Sequence, residues 1–146
     1  MNDFALETEL EFRIELERQI NASMEDTFEA LLDQLGPASV TPDGTPLPMK
    51  IEAFPGGRWF RDLGNNNGHH WAHVQAIKRP TLLEFTGPLF MSQGVCNNLQ
   101  YRLEESDGGT TLRFVHSGFG IISEEIREGM GDGWSAYLDR IASRFE

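Results

Sequence analysis

The segment Leu10–Ile20 reads LEFRIELERQI, with Leu10, Phe12, Ile14, Leu16 and Ile20 on one parity and Glu11, Arg13, Glu15, Glu17 and Gln19 on the other. A two-residue period of this kind describes a strand with one buried and one wet face. Such a strand belongs to an antiparallel sheet that meets solvent on one side. It does not suit a parallel sheet covered on both.

Working outward, Ser23 is placed to cap a helix, with Glu25 and Asp26 at the positive end of its dipole. Phe28, Leu31, Leu32 and Leu35 then recur at helical spacing, and Gly36-Pro37 stops the run. Pro37 to Pro48 reads as a connection with a short helical turn. The middle of the chain predicts strands at Lys50–Phe54, Arg58–Leu63, His69–Lys78 and Thr81–Met91, the last kinked or bulged at Gly87-Pro88. Val95–Glu105 and Thr110–Phe119 flank Ser106-Asp107-Gly108-Gly109, and an Asp-Gly turn between two alternating runs is a hairpin signal. A closing helix from Ser123 to Phe145 carries Ile126, Met130, Trp134, Tyr137, Leu138, Ile141 and Phe145 along one stripe. Gly129, Gly131 and Gly133 weaken its first half, predicting a bend or a start nearer Asp132.

The 146 residues suit one domain, residues 1–146, large enough to fold without disulfides. A single cysteine, Cys96, allows no internal disulfide and fits a reducing compartment. The acidic N-terminus lacks the features of a secretory signal, and no apolar run approaches a membrane span, so a soluble cytoplasmic protein is expected. Twelve Lys and Arg against 23 Asp and Glu give a formal net charge of −11. That balance argues against nucleic acid and anionic membrane surfaces as partners.

The order is strand, helix, about six antiparallel strands, then a long aromatic helix. It resembles the START-like (SRPBCC) superfamily, the helix-grip fold shared with plant pollen-allergen-like proteins and polyketide cyclases. Local wording is similar to the branch related to the activator of the heat-shock protein 90 ATPase. The matching pieces are Ala22-Ser23-Met24-Glu25-Asp26-Thr27-Phe28 at the first helix, Pro55-Gly56-Gly57-Arg58-Trp59-Phe60 at a strand opening, the paired strands around Pro80 from Trp71 to Thr86, and Gly133-Trp134 with Tyr137-Leu138 in the last helix. The sequence departs at Gly87, where many relatives carry Trp. The resemblance implies an α+β fold in which a curved antiparallel sheet of about six to seven strands wraps around the C-terminal helix. It also implies a cavity for a small hydrophobic or amphipathic ligand, with enzymes in some branches.

Given such a cavity, parity nominates its lining. His116 follows Leu112 and Phe114 on the apolar parity, where a neutral imidazole can bond a ligand or act as a general base. The plainer reading is a histidine satisfied by a neighbour in a packed sheet. Arg61 shares parity with Trp59 and Leu63 and, if inward, requires a protein carboxylate or an anionic ligand; a strand-end Arg reaching water is the plainer reading. Tyr101 lies on the Leu99/Leu103 parity, and Trp134, Tyr137 and Leu138 lie on the helix stripe. With Trp59, Trp71, His73, Phe85, Phe90 and Phe114 they complete the candidate set, although for each alone core packing is the plainer reading.

His69, His70 and His73 invite a metal reading. On a strand, however, His69 and His73 stand ~13 Å apart and His70 points away, whereas zinc needs its ligand nitrogens within ~2.1 Å of one ion. No metal site is expected. Cys96 has no histidine or acid near it in sequence. There is no GxGxxG after a strand, phosphate loop, GxSxG or CxxC, so no cofactor is expected. Three functions follow. The first is a small-molecule-binding protein, monomeric or homodimeric. The second is a cyclase-, dehydratase- or hydrolase-type enzyme, which needs His116, Arg61 or Tyr101 to converge. The third is a chaperone-associated interaction module.

Overall fold

A computed structural model describes residues 11–146; Leu10, expected to open the first strand, lies outside them. Strand β1 (Glu11–Ile20) is followed by helix α1 (Met24–Leu35), short β2 (Lys50–Ile51), β3 (Arg58–Gly64), β4 (Asn67–Lys78), β5 (Leu82–Gly87), β6 (Val95–Ser106), β7 (Gly109–Gly120) and helix α2 (Glu124–Ser143). The strands make one seven-stranded sheet in the order β1-β7-β6-β5-β4-β3-β2, antiparallel at every pairing. The sheet curves, and its inner face packs on both helices.

Local chemistry accounts for the boundaries. Ser23 Oγ accepts the Asp26 N–H at 3.1 Å, and Ser123 Oγ accepts the Ile126 N–H at 3.3 Å, so each helix begins at a side-chain cap. Both short hairpins use turns of the mirror-image type, which match the twist of the strands they join. Asn65 and Asn66 have φ of 54° and 61° between β3 and β4, and Asp107 and Gly108 have 50° and 79° between β6 and β7.

Three expectations are corrected. Helix α2 begins at Glu124, ahead of its glycines, and not nearer Asp132. The 37–48 segment is built from turns and a Val40–Pro46 bridge, with no helix. Strand β5 ends at Gly87, where the expected strand continued to Met91. There the chain turns in: Leu89 takes φ of 59°, is fully buried and donates its N–H to the Trp71 carbonyl at 2.7 Å. A Cβ at Gly87 would fall 2.3 Å from that same carbonyl and 2.6 Å from Ala72 Cα.

Register in β4 decides which side chains reach the inside. Trp59 pairs with Ala72 and Phe60 with His70, so Trp71 is the extra residue of a bulge. Trp71 and Ala72 are consequently both buried. The core is one cluster that includes Phe28, Leu31 and Leu35 of α1, Trp59, Phe85, Leu99 and Phe114 of the sheet, and Trp134, Leu138 and Ile141 of α2.

Candidate ligand cavity

The first half of α2, the 40–47 loop and the Trp71/Phe90 corner enclose an apolar cavity of about 310 Å³. Helix α2 supplies Ile126, Gly129, Met130, Gly133, Trp134 and Tyr137, and the loop supplies Val40, Thr41, Pro42 and Leu47. The cavity opens past Phe90, which is 41% exposed, and past exposed Glu125 and Gly129. Among the described residues, Glu125 is the only carboxylate in the lining, and no basic side chain joins it.

The loop is fastened in place. Thr41 N–H donates to the Thr45 carbonyl at 2.8 Å and Leu47 N–H to the Ser39 carbonyl at 2.8 Å. The Asp43 carboxylate accepts from Thr41 and Thr45, which holds its pKa below the usual carboxylate value. Two bonds tie the loop to α2: Tyr137 Oη and Ser39 Oγ lie 2.6 Å apart, and Arg140 Nη2 donates to the Pro42 carbonyl at 3.2 Å. Burial raises the Tyr137 pKa, with the Ser39 bond and Arg140 opposing it, so the phenol is neutral at physiological pH.

Of the residues nominated from sequence, Trp71, Phe90, Trp134 and Tyr137 line this cavity. Trp59, Phe85, Tyr101, Phe114 and Leu138 are buried in the core and do not. Trp59 stacks on Phe85 at 4.7 Å, and its indole N–H donates at 2.8 Å to the Leu35 carbonyl, one of the acceptors left open at the end of α1. Tyr101 packs on Phe114 at 4.9 Å, and its buried hydroxyl has no hydrogen-bond partner among the described residues. Its pKa is driven upward, chiefly by burial and secondly by Tyr137.

His73 and Arg61 lie elsewhere. The bulge at Trp71 leaves His73 opposite exposed Arg58, and across β5 it faces Thr86, so it sits on the outer face. Arg61 borders a separate surface hollow at the β3–β4 turn and donates Nη1 to the Pro48 carbonyl at 2.9 Å. That bond explains why it needs no buried carboxylate.

His116 is fully buried behind Trp134. Trp134 Nε1–H donates to His116 Nδ1 at 2.9 Å. An indole N–H only donates, so Nδ1 carries no proton; Nε2 therefore holds it and donates to Asn97 Oδ1 at 2.7 Å. Burial lowers the pKa to about 4. Both ring nitrogens are engaged inside the core, and the ring presents no free lone pair to the cavity. His116, Arg61 and Tyr101 do not converge on one point. Among the described residues no three His, Cys, Asp or Glu side chains gather closely enough to hold a metal ion.

The sequence reading missed Val40, Thr41, Pro42 and Leu47, because a Pro- and Gly-rich stretch signals a connection whether or not it folds back over a helix. Gly129 and Gly133 carried a usable signal: they lie four apart, beside Ile126, Met130 and Trp134 on one face of the helix.

A curved antiparallel sheet gripping a C-terminal helix, with an apolar cavity at the helix, defines the START-like, helix-grip class. The chain belongs to the family described as activator of Hsp90 ATPase homolog 1-like protein, whose model matches residues 21–146. No curated protein matches it. Solved structures that share its fold include a protein from Mesorhizobium loti, at TM-score 0.69 and 18% identity over 90% of this chain and 95% of that one. The Aha1 dimer from Colwellia psychrerythraea matches at TM-score 0.66 and 18% identity, covering 92% and 96%. CalU16 from Micromonospora echinospora matches at 0.64 and 20%, covering 91% and 74%. Among the described residues no helix is long and apolar enough to cross a membrane.

Proposed function

We propose that this protein binds a small, largely apolar molecule in the cavity between α2, the 40–47 loop and the Trp71/Phe90 corner. The cavity itself carries the reading: about 310 Å³ of open space with an almost wholly apolar lining, at the lower end of the range for small-molecule sites. The family's fold, a sheet closed on a helix, supports it. We take the chain to act as one cytoplasmic domain over residues 1–146, as a monomer or, like the Colwellia protein, a dimer.

Native mass spectrometry of the protein purified from its own host, set against the denatured mass, tests this. A reproducible extra mass that disappears on denaturation is expected, and an Ile126→Trp variant, which fills the cavity, is expected to lose it. Absence of extra mass, together with no heat on titration against a panel of lipids and aromatic metabolites, would rule the reading out.

A further inference from the structure

We propose that the cavity prefers a flat, uncharged aromatic ring system, and that Gly129 and Gly133 set that preference. The inference rests on the cavity being a ligand site, as above.

Helix α2 carries Gly129, Gly131 and Gly133 in its interior, where glycine is a poorer helix former than alanine. Packing within the protein does not demand them. Among the described residues, and apart from the helix's own backbone, a Cβ at Gly129 or Gly131 would meet no atom within 4 Å, and at Gly133 the nearest is Pro42 Cγ at 3.9 Å. Nor does the backbone demand them, since none has a positive φ. Gly129 and Gly133, four residues apart on one face, line the cavity, whereas Gly131 does not.

Two missing side chains in succession leave a strip of bare helix backbone, and such a strip lets a ligand approach closely. The same lining holds the rings of Trp71, Phe90 and Trp134, with Trp71 and Phe90 edge-to-face at 5.9 Å. A rigid flat molecule gains contact along the whole strip. A flexible chain can bend around a methyl group and gains little from its removal. Among the described residues, the only charged group of the lining is Glu125, on a chain of net charge −11, which opposes an anion.

The test uses the full chain and two neutral probes: 1-aminoanthracene, followed by its fluorescence, and 1-dodecanol as competitor. Wild type is expected to bind the ring probe at least about tenfold more tightly than the alcohol. Gly129→Ala and Gly133→Ala are each expected to weaken the ring probe about tenfold, because an added carbon overfills a close contact. Dodecanol affinity should stay within about twofold. Gly131→Ala, the control, is expected to leave both affinities unchanged. All three substitutions should raise the melting temperature, by roughly 2–4 °C each, because alanine favours the helix. Ring binding unchanged in the Gly129 and Gly133 variants, or a wild type that prefers the alcohol, overturns the proposal while leaving the cavity reading intact. A melting temperature below wild type in those two variants also overturns it, by assigning the glycines to packing. If neither probe binds wild type, the cavity reading falls and takes this inference with it.

Discussion

At His116 the burial that makes the ring useful for packing also makes it a liability in acid. The imidazole is hydrogen-bonded at both nitrogens in its neutral form, and burial brings its pKa down to about 4. In the unfolded chain it titrates near ~6.5, so as pH falls protons bind the unfolded state first. The stability tied to the neutral ring is complete above the unfolded value, declines between the two values, and levels off below about 4. The full loss is roughly 3 kcal/mol. Carboxylates such as Glu52, which its bond with Arg58 holds at about 2, lose their partners further down the scale. Urea denaturation across that range should therefore show wild type weakening before the carboxylates titrate. His116→Gln should be less stable at neutral pH by about 1–3 kcal/mol, since its buried partners are left badly matched, and should show a flatter pH dependence through the window. An unchanged slope in the variant would assign the effect to another group. The inward direction of His116 was legible from strand parity, because β7 pairs along its length without interruption. Its partners were not, since Asn97 and Trp134 come from separate elements.

The elements show where a period-2 reading holds and where it breaks. Asp107-Gly108 announces its hairpin because a turn that needs positive φ at both centres admits few residue types. In β4 the same logic mis-set the position of His73: a single unpaired residue at Trp71 exchanges the two faces, and nothing in Trp71-Ala72-His73 marks the extra residue. The end of β5 has a similarly local cause. Gly87 sits against the β4 backbone and accepts the Asn97 side-chain N–H at its carbonyl, 3.2 Å away. Gly87→Ala is expected to lower stability by about 1–3 kcal/mol, because the Trp71 carbonyl cannot retreat without releasing Leu89. A thermal melt measures this, and a melting temperature equal to wild type would mean that the corner moves freely.

At the scale of the molecule, one apolar cluster joins both helices to the sheet, and each of the three tryptophans belongs to it. Tryptophan fluorescence and far-ultraviolet circular dichroism should consequently report one coincident transition in urea. Separated midpoints would show that α2 and its cavity melt apart from the sheet. The order of elements, and with it the helix-grip class, was legible in the sequence because each element carries its own periodicity. The cavity was only half legible: the helix side follows from a stripe, but the 40–47 wall is made by hydrogen bonds between a loop and α2. The strand order has a consequence of another kind. Strands β3 to β7 are a meander in which each pairs with the next, so every partner is at hand soon after it is synthesised. Strand β1 pairs with β7, its partner from the far end of the chain. Translation therefore delivers β1 well before β7, so its pairing along that edge waits until strands β2 to β7 have all been synthesised.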